Sequence, residues 1–516
     1  MKSGTTLRRV LDEESKYSGG SNCCNRGGAF VNSRKISAGG ASRLSSISRA
    51  IVRQTLRTIL SIATLAAIAG NTSAQLPPKA PNSSVITLTP QPGYFTEPGI
   101  AINPNNPQQV VAVYQDNAHA AYSFDAGRTW QIATGVEPRD YRVSGDVSTT
   151  YDNQGHAFIC YIAFDKLGTF NYWGHNSSRN GIYVRRSLDG GKTWEAKDIA
   201  ATEQPDKTPD QKDVPWEDKP YIVADNSHGP YAGNLYIGWT RWTVTDSQIQ
   251  FVRSTDHGKT WSKPMEIDNV RGLPRDDNGA VEGFFGAVGP DSALYAVWTD
   301  GNHVVFTASS DGGSTFAPTR NIIDTAPTMF SIDAVARANG FPQIAIDPRG
   351  GPKGGRLYVT WADYRNGEID VFCSSSKDYG ATWSPAIRVN TDAVHNGAEH
   401  FFQWMAVDPA DGSINVIFYD RRGDPRNRAQ TVVLARSTDG GQSFQNYSWT
   451  DQPFNAKGGF IGDYDGLAAM NGRVYGIWTE KPDNITTRDT VIRIGVAEFS
   501  SASAANSSAS PKANLK

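Results

Sequence analysis

The sequence predicts an all-β chain folded as a β-propeller of four-stranded antiparallel blades. Three observations carry this expectation. A turn motif, Ser-x-Asp-x-Gly-x-Thr/Ser-aromatic, occurs six times, at Ser123–Trp130, Ser187–Trp194, Ser254–Trp261, Ser309–Phe316, Ser376–Trp383 and Ser437–Phe444. An apolar first strand followed by a second strand ending in an aromatic recurs seven times. The composition, with 50 Gly, 13 Trp, 20 Tyr and 21 Phe in 516 residues, suits short strands and tight turns, and no long amphipathic helical pattern competes with them.

The motif explains itself as a turn. Its carboxylates, Asp125, Asp189, Asp256, Asp311, Asp378 and Asp439, are spaced 64, 67, 55, 67 and 61 residues apart, a period of one blade. Each can accept backbone N–H groups while the following Gly allows positive φ, and the last aromatic packs between neighbouring sheets. These aspartates are therefore turn-formers rather than catalysts.

The strand pairs count the blades. Pro98–Pro104 leads to Val110–Tyr114, and Pro342–Pro348 leads to Leu357–Trp361. The other five begin near Asp146, Pro220, Gly283, Gln403 and Tyr464, with second strands ending at Phe164, Trp239, Trp298, Phe418 and Trp478. Seven blades are thus favoured over six. The seventh has no turn motif and only one further local strand, Val491–Ala497. Residues Val85–Leu88 can supply its fourth strand, closing the ring and covering two open edges.

The ends are read separately. Arg49, Arg53 and Arg57 precede the apolar run Ile59–Ala69, and Thr72-Ser73-Ala74 precede Gln75. This fits a leader over 1–74 with a secretory signal cleaved after Ala74, since the run is short of the ~20 residues of a membrane span. Residues 75–83 read as a linker, 84–499 as the propeller and 500–516 as a disordered tail. The leader holds 11 Lys/Arg and 3 Asp/Glu, a formal +8, which leaves −10 for the remainder of a chain whose total is −2. An acidic mature chain argues against nucleic acid as a partner. Cys160 and Cys373 fall in strands of separate repeats and are expected as buried free thiols. No Cys/His spacing points to zinc, and no metal or organic cofactor is implied.

The six motifs resemble the Asp boxes of the bacterial-neuraminidase-repeat superfamily, which includes sialidases. The resemblance covers roughly residues 84–499. It implies that each box joins the third and fourth strands of a blade, and that sugars bind on the opposite face. There the loops entering the first strands bring Glu97, Asp146, Asp218, Glu282 and Asp463-Tyr464-Asp465. Sialidases replace the carboxylate nucleophile of other glycosidases with tyrosine. The resemblance therefore marks Tyr464 as nucleophile, with Glu282 or Asp146 as acid/base and Asp463 as a further carboxylate candidate.

A charged residue also follows every second strand: Asp116, Asp165, Arg241, Asp300, Asp363, Asp420 and Glu480. A feature common to all blades is architectural, so departures from it are more informative. Arg241, Arg365 and Arg421 are such departures, and could converge on a substrate carboxylate, with Arg422, Asp363 and Asp420 beside them. The competing reading pairs each arginine with an adjacent aspartate. The sialidase pattern is broken where Phe/Tyr-Arg-Ile-Pro is expected. Phe95-Thr96-Glu97-Pro98 has Thr in place of Arg, Tyr141-Arg142-Val143-Ser144 lacks the proline, and seven blades would differ from the six of sialidases.

The expected function is an exported, monomeric, sialidase-like glycoside hydrolase, an exo-sialidase or related exo-glycosidase, with carbohydrate as its partner. A non-catalytic glycan- or protein-binding propeller is the alternative. A polysaccharide lyase, which would need a Tyr/His or Lys base, is the second. Fold alone does not choose among them.

Overall fold

The computed structural model describes residues 75–499 except 170, 209–212, 350–353 and 451. The expected leader and tail lie outside the described residues. Among those described there is no helix, and so none long and apolar enough to cross a membrane.

Seven four-stranded antiparallel sheets form a seven-bladed propeller. Blade one is Thr96–Ile102, Val110–Gln115, His119–Ser123 and Gln131–Ile132, and the next five blades repeat this order from the axis outward. The second strands are buried almost throughout, as in Ala157–Phe164 and Leu357–Asp363, because each blade is covered on both faces by its neighbours. The fit between blades is close. A β-carbon on Gly238 of blade three would lie 2.4 Å from the ring of Phe284 in blade four, so any larger residue there would force that ring to move.

Blade seven closes the ring as the sequence suggests. Its first three strands are Gly466–Met470, Arg473–Glu480 and Val491–Glu498, and its outer strand is Ser84–Thr87. Val85 faces Gly495, Ile86 faces Ile494 and Thr87 faces Arg493, and Leu88 N–H donates to the Ile492 carbonyl at 2.8 Å. Residues 78–80, read as linker, also pair with the propeller: Ser448 N–H donates to Pro78 O at 2.8 Å, extending the outer edge of blade six.

Each Asp box has one geometry. In the first, Asp125 Oδ1 accepts from the Ser123 hydroxyl at 2.8 Å and the Thr129 N–H at 2.8 Å, and Oδ2 accepts from the Thr129 hydroxyl at 2.6 Å. The Thr129 hydroxyl and N–H bonds hold Asp125 down to about 2. The box aromatics pack on the preceding blade: the Phe316 ring meets Phe251 at 4.8 Å and Trp383 meets Phe306 at 5.8 Å. Ala126 N–H donates to Gln108 O, placing the box at the same end as its own blade's first-to-second turn. The two cysteines are buried and free.

Candidate active site

At the end away from the boxes, one irregularity recurs at the start of the first strands. Glu97, Asp146, Lys219, Gly283 and Phe402 all have positive φ, between 45° and 76°, and each marks a register shift in its blade. These are β-bulges, which re-aim a side chain at a sheet end. In blades one, two and three they hold charged side chains in a left-handed conformation that such residues rarely adopt, a form of strain that collects at functional sites.

The result is an acidic depression around Lys219. Six carboxyl groups, Glu97, Asp146, Asp218, Asp276, Glu282 and Asp463, share it with two cations, Lys219 and Arg337. Lys219 Nζ is 2.9 Å from Asp463 Oδ2 and 3.9 Å from Glu282 Oε2. Arg337 grips Asp463 through Nε at 2.7 Å and Nη2 at 2.5 Å, and reaches Asp276 with Nη1 at 2.9 Å. Two cations cannot neutralise six carboxylates, so burial decides the protonation of the rest. Burial alone would raise Asp463, but Arg337 and Lys219 override it and hold the group at about 2. Glu97 is pushed up to about 7 by burial and by Asp463, and Asp146 to about 7 by burial and by Glu97. Asp218 and Glu282 are raised well above the usual carboxylate range, Asp218 by burial and Asp146, Glu282 by burial and Asp276. Near neutral pH the depression therefore holds both carboxylates and carboxylic acids.

Its hydrogen bonds fix the orientations. The Gln115 amide donates to Glu97 Oε2 and its oxygen accepts the Asp146 N–H at 2.6 Å. Asp146 Oδ2 accepts the Lys219 N–H at 3.1 Å, and Asp218 Oδ2 accepts Trp242 Nε1–H at 2.9 Å. A pocket of about 620 Å³, its mouth included, opens over Glu97, Asp146, Asp218, Lys219 and Arg337, walled by Phe164, Trp173, Trp216 and Phe460. Carboxyl groups beside aromatic faces suit a sugar, which stacks its apolar face and hydrogen-bonds its hydroxyls.

Beneath this layer the channel is filled by rings. Tyr221 stacks on Phe285 at 3.9 Å, Phe285 meets Trp404 at 4.9 Å, and Trp404 meets Tyr464 at 5.7 Å. Tyr464 donates its hydroxyl to Val147 O at 3.1 Å, and burial, Glu97 and Asp146 raise it well above the ordinary tyrosine value.

Of the four residues read from sequence as catalytic, Asp463 and Glu282 lie 2.9 and 3.9 Å from Lys219 Nζ, and Asp146 and Tyr464 feel the charges of the same cluster. The proposed substrate-binding set does not join them, which corrects the expected convergence of arginines. Arg241 pairs with Glu217 at 2.6 Å, Arg365 with Asp363 at 2.6 Å and Arg422 with Asp420 at 2.6 Å. Arg421 is fully buried, donating to Asn427 O at 2.8 Å and Asp333 O at 2.9 Å under the Phe401 ring. The reason is electrostatic: a buried Glu217, Asp363 or Asp420 needs a counter-charge in place, and the nearest guanidinium supplies it. Asp363 also accepts the Trp361 indole N–H at 2.9 Å, so this position caps the blade aromatic.

Sequence reading passed over Lys219, Arg337, Asp276 and the aromatic walls. Lys219 had a signal, the alignment of Glu97-Pro98, Asp146-Val147 and Lys219-Pro220 at one repeat position. Arg337 had none. It lies in an insertion before blade five, where the ribbon Met329–Phe330 with Ala338–Asn339 crosses to the loop entering blade seven through Ala336 N–H to Gly459 O at 3.1 Å.

The BNR/Asp-box repeat family model matches residues 252–263. A sialidase from Micromonospora viridifaciens is 30% identical over 210 residues, covering 35% of this chain and 30% of the relative, so the chain spans under a third of that protein's length. Among solved structures, a leech intramolecular trans-sialidase overlaps 69% of this chain and 68% of its own at 13% identity, TM-score 0.45. An ulvan lyase overlaps 82% of this chain and 94% of its own at 12% identity, also with a TM-score of 0.45. The chain is a seven-bladed β-propeller carrying six Asp boxes of one geometry, and over the 210 matched residues it is similar to that sialidase.

Proposed function

We propose that this chain is an exported glycoside hydrolase whose working site is the acidic depression at the end of the propeller away from the boxes. The observation that carries the reading is the pair Glu97 and Asp146, two adjoining carboxyl groups each raised to about 7 under an aromatic-walled pocket. A general acid needs a proton available near its operating pH, and burial among like charges supplies one. Asp146, half-buried at the pocket floor, is the acid that protonates the leaving oxygen. Asp463, held ionised at about 2, is the negative charge that steadies a developing oxocarbenium ion, and Glu97 helps to keep Asp146 protonated. Tyr464, in the ring layer beneath and under the influence of both carboxyls, is the candidate nucleophile of a sialidase-like step once its hydroxyl leaves Val147.

The preferred sugar follows from the cations. Arg241, Arg365, Arg421 and Arg422 are committed elsewhere, and Lys219 and Arg337 are already held by Asp463 and Asp276. This favours a neutral terminal sugar over a carboxylated one. Export rests on the signal-like run before Gln75. The test is a panel of fluorogenic glycosides, neutral and sialylated, from about pH 4 to about pH 8. Turnover of a neutral glycoside that falls above about pH 7 supports the reading. Turnover confined to the sialoside would correct the sugar, and saturable glycan binding without turnover would replace the enzyme with a recognition module.

A further inference from the structure

A second cluster lies at the opposite end, in the groove between blades two and three. Asp152 directly follows the first strand of blade two, His156 directly precedes its second, and His257 sits inside the Asp box of blade three. His156 Nδ1 is 2.9 Å and His257 Nδ1 2.8 Å from the same oxygen, Asp152 Oδ2. Asp152 is fully buried, while the two imidazoles keep 20% and 26% of their surface in solvent. Among the described residues these three are the group of His, Cys, Asp and Glu side chains whose ligand atoms all lie within 4.8 Å of one another.

Position by position, the cluster departs from the repeat. The residue after the box Asp is Gly190, Gly312 and Gly440 in three other boxes, because it adopts positive φ, and His257 takes that conformation at 57°. A histidine there is conformationally costly unless its ring has a partner. The repeat also supplies the anchor. Asn103, Asp225, Asp347 and Asp408 occupy the position of Asp152, each accepting the N–H two residues on. In Asp347 the other oxygen takes Arg349, and in Asp408 it takes the Gly472 N–H. Only in blade two, of these, do two imidazoles take it.

We propose that Asp152, His156 and His257 form a binding site for a divalent transition-metal ion of zinc type, which ties blade two to blade three. Two imidazole nitrogens and one carboxylate oxygen are borderline ligands suited to Zn²⁺ at about 2.0–2.2 Å. Ligand atoms around such an ion stand roughly 3.3 Å apart, so the present 2.8 and 2.9 Å contacts open by about half an ångström to admit it. Outer contacts already set the ligands. Asp152 Oδ1 accepts the Gln154 and His156 N–H groups, both at 2.9 Å, which fixes the carboxylate. The Gln154 amide nitrogen lies 2.8 Å from His257 Nε2; with a metal on Nδ1 that Nε2 carries the proton, and the amide turns over so that its oxygen accepts it, while Arg186 Nη1 donates to the His257 carbonyl at 3.1 Å. A further donor is near. The Asn153 amide oxygen is buried without a hydrogen-bond partner, and it and His257 Cε1 flank Gly233, 3.2 Å and 2.9 Å from where a β-carbon would sit. The exposed side of the imidazoles leaves the remaining coordination to water.

The experiment uses the full chain without an affinity tag, stripped with chelator, dialysed against Zn²⁺ and assayed for bound metal and melting temperature. One Zn²⁺ per chain and a Zn²⁺-dependent rise in melting temperature are expected. His257→Gly, which restores the residue of three other boxes, should weaken binding by about 100-fold or more and abolish the rise. His156→Gln gives the same readout should His257→Gly fold poorly. Wild-type binding no tighter than that of either folded variant, or no saturable binding at all, overturns the proposal. In that case the three side chains are a hydrogen-bonded brace alone.

Discussion

The protonation of single carboxyl groups separates the two ends of this propeller. At the boxes, hydroxyl and N–H donors lower the aspartates, with Asp125, Asp311 and Asp378 held at about 2. Their contribution to stability is present above the unfolded value near 4 and fades as pH falls through about 2. At the other end Glu97 and Asp146 are raised to about 7, so the sign reverses. They favour the folded state fully below about pH 4 and progressively less as pH rises through about 7. The melting temperature should therefore decline from about pH 5 to about pH 8, and Glu97→Gln should flatten that decline. A wild-type profile that rises over this interval contradicts the assignment. For the boxes, Asp189 accepts the Thr193 N–H at 2.8 Å and the Thr193 hydroxyl at 2.6 Å. Because the turn is exposed, Asp189→Ala should cost about 1 kcal/mol in denaturant unfolding and leave any turnover per folded molecule unchanged.

At the scale of strands, closure is the sensitive step. Ser84–Thr87 is the outer strand of the blade that also contains the last strand of the chain, and Leu88 is buried behind Ile492. Leu88→Ala should destabilise by about 2–4 kcal/mol by urea titration, through a cavity at the seam. A loss no greater than that of an exposed substitution would mean the seam is not what holds the ring. This seam was legible in the sequence because the seventh strand pair had no fourth strand and Val85–Leu88 had no sheet. The boxes were legible for the same reason: their geometry is local, made by residues within eight positions. Arg337 was not, since it joins Asp463 across 126 residues through an insertion with no counterpart in the other blades. The arginines misled because an unusual cation beside a repeated aspartate fits two opposite roles. Sequence shows the pair, and only burial of Asp363 and Asp420 shows that the pair is already complete.

For the whole molecule, the propeller assigns its two ends different work. One end is a ring of turns locked by low-lying aspartates. The other gathers bulged first strands from blades one, two and three with the insertion before blade five, over a channel plugged by Tyr221, Phe285, Trp404 and Tyr464. Function belongs to the second end on this account. The direct measurement is turnover of the best glycoside substrate by Asp146→Asn, set beside Asp378→Asn, with melting temperatures recorded for both. Asp146→Asn removes an acid of about 7 without changing its shape, and should lower turnover by about 100-fold or more with the fold intact. Asp378→Asn should lower the melting temperature while turnover per folded molecule stays the same. Full activity in Asp146→Asn, or a selective loss in Asp378→Asn, would contradict the account and move the site to the other end.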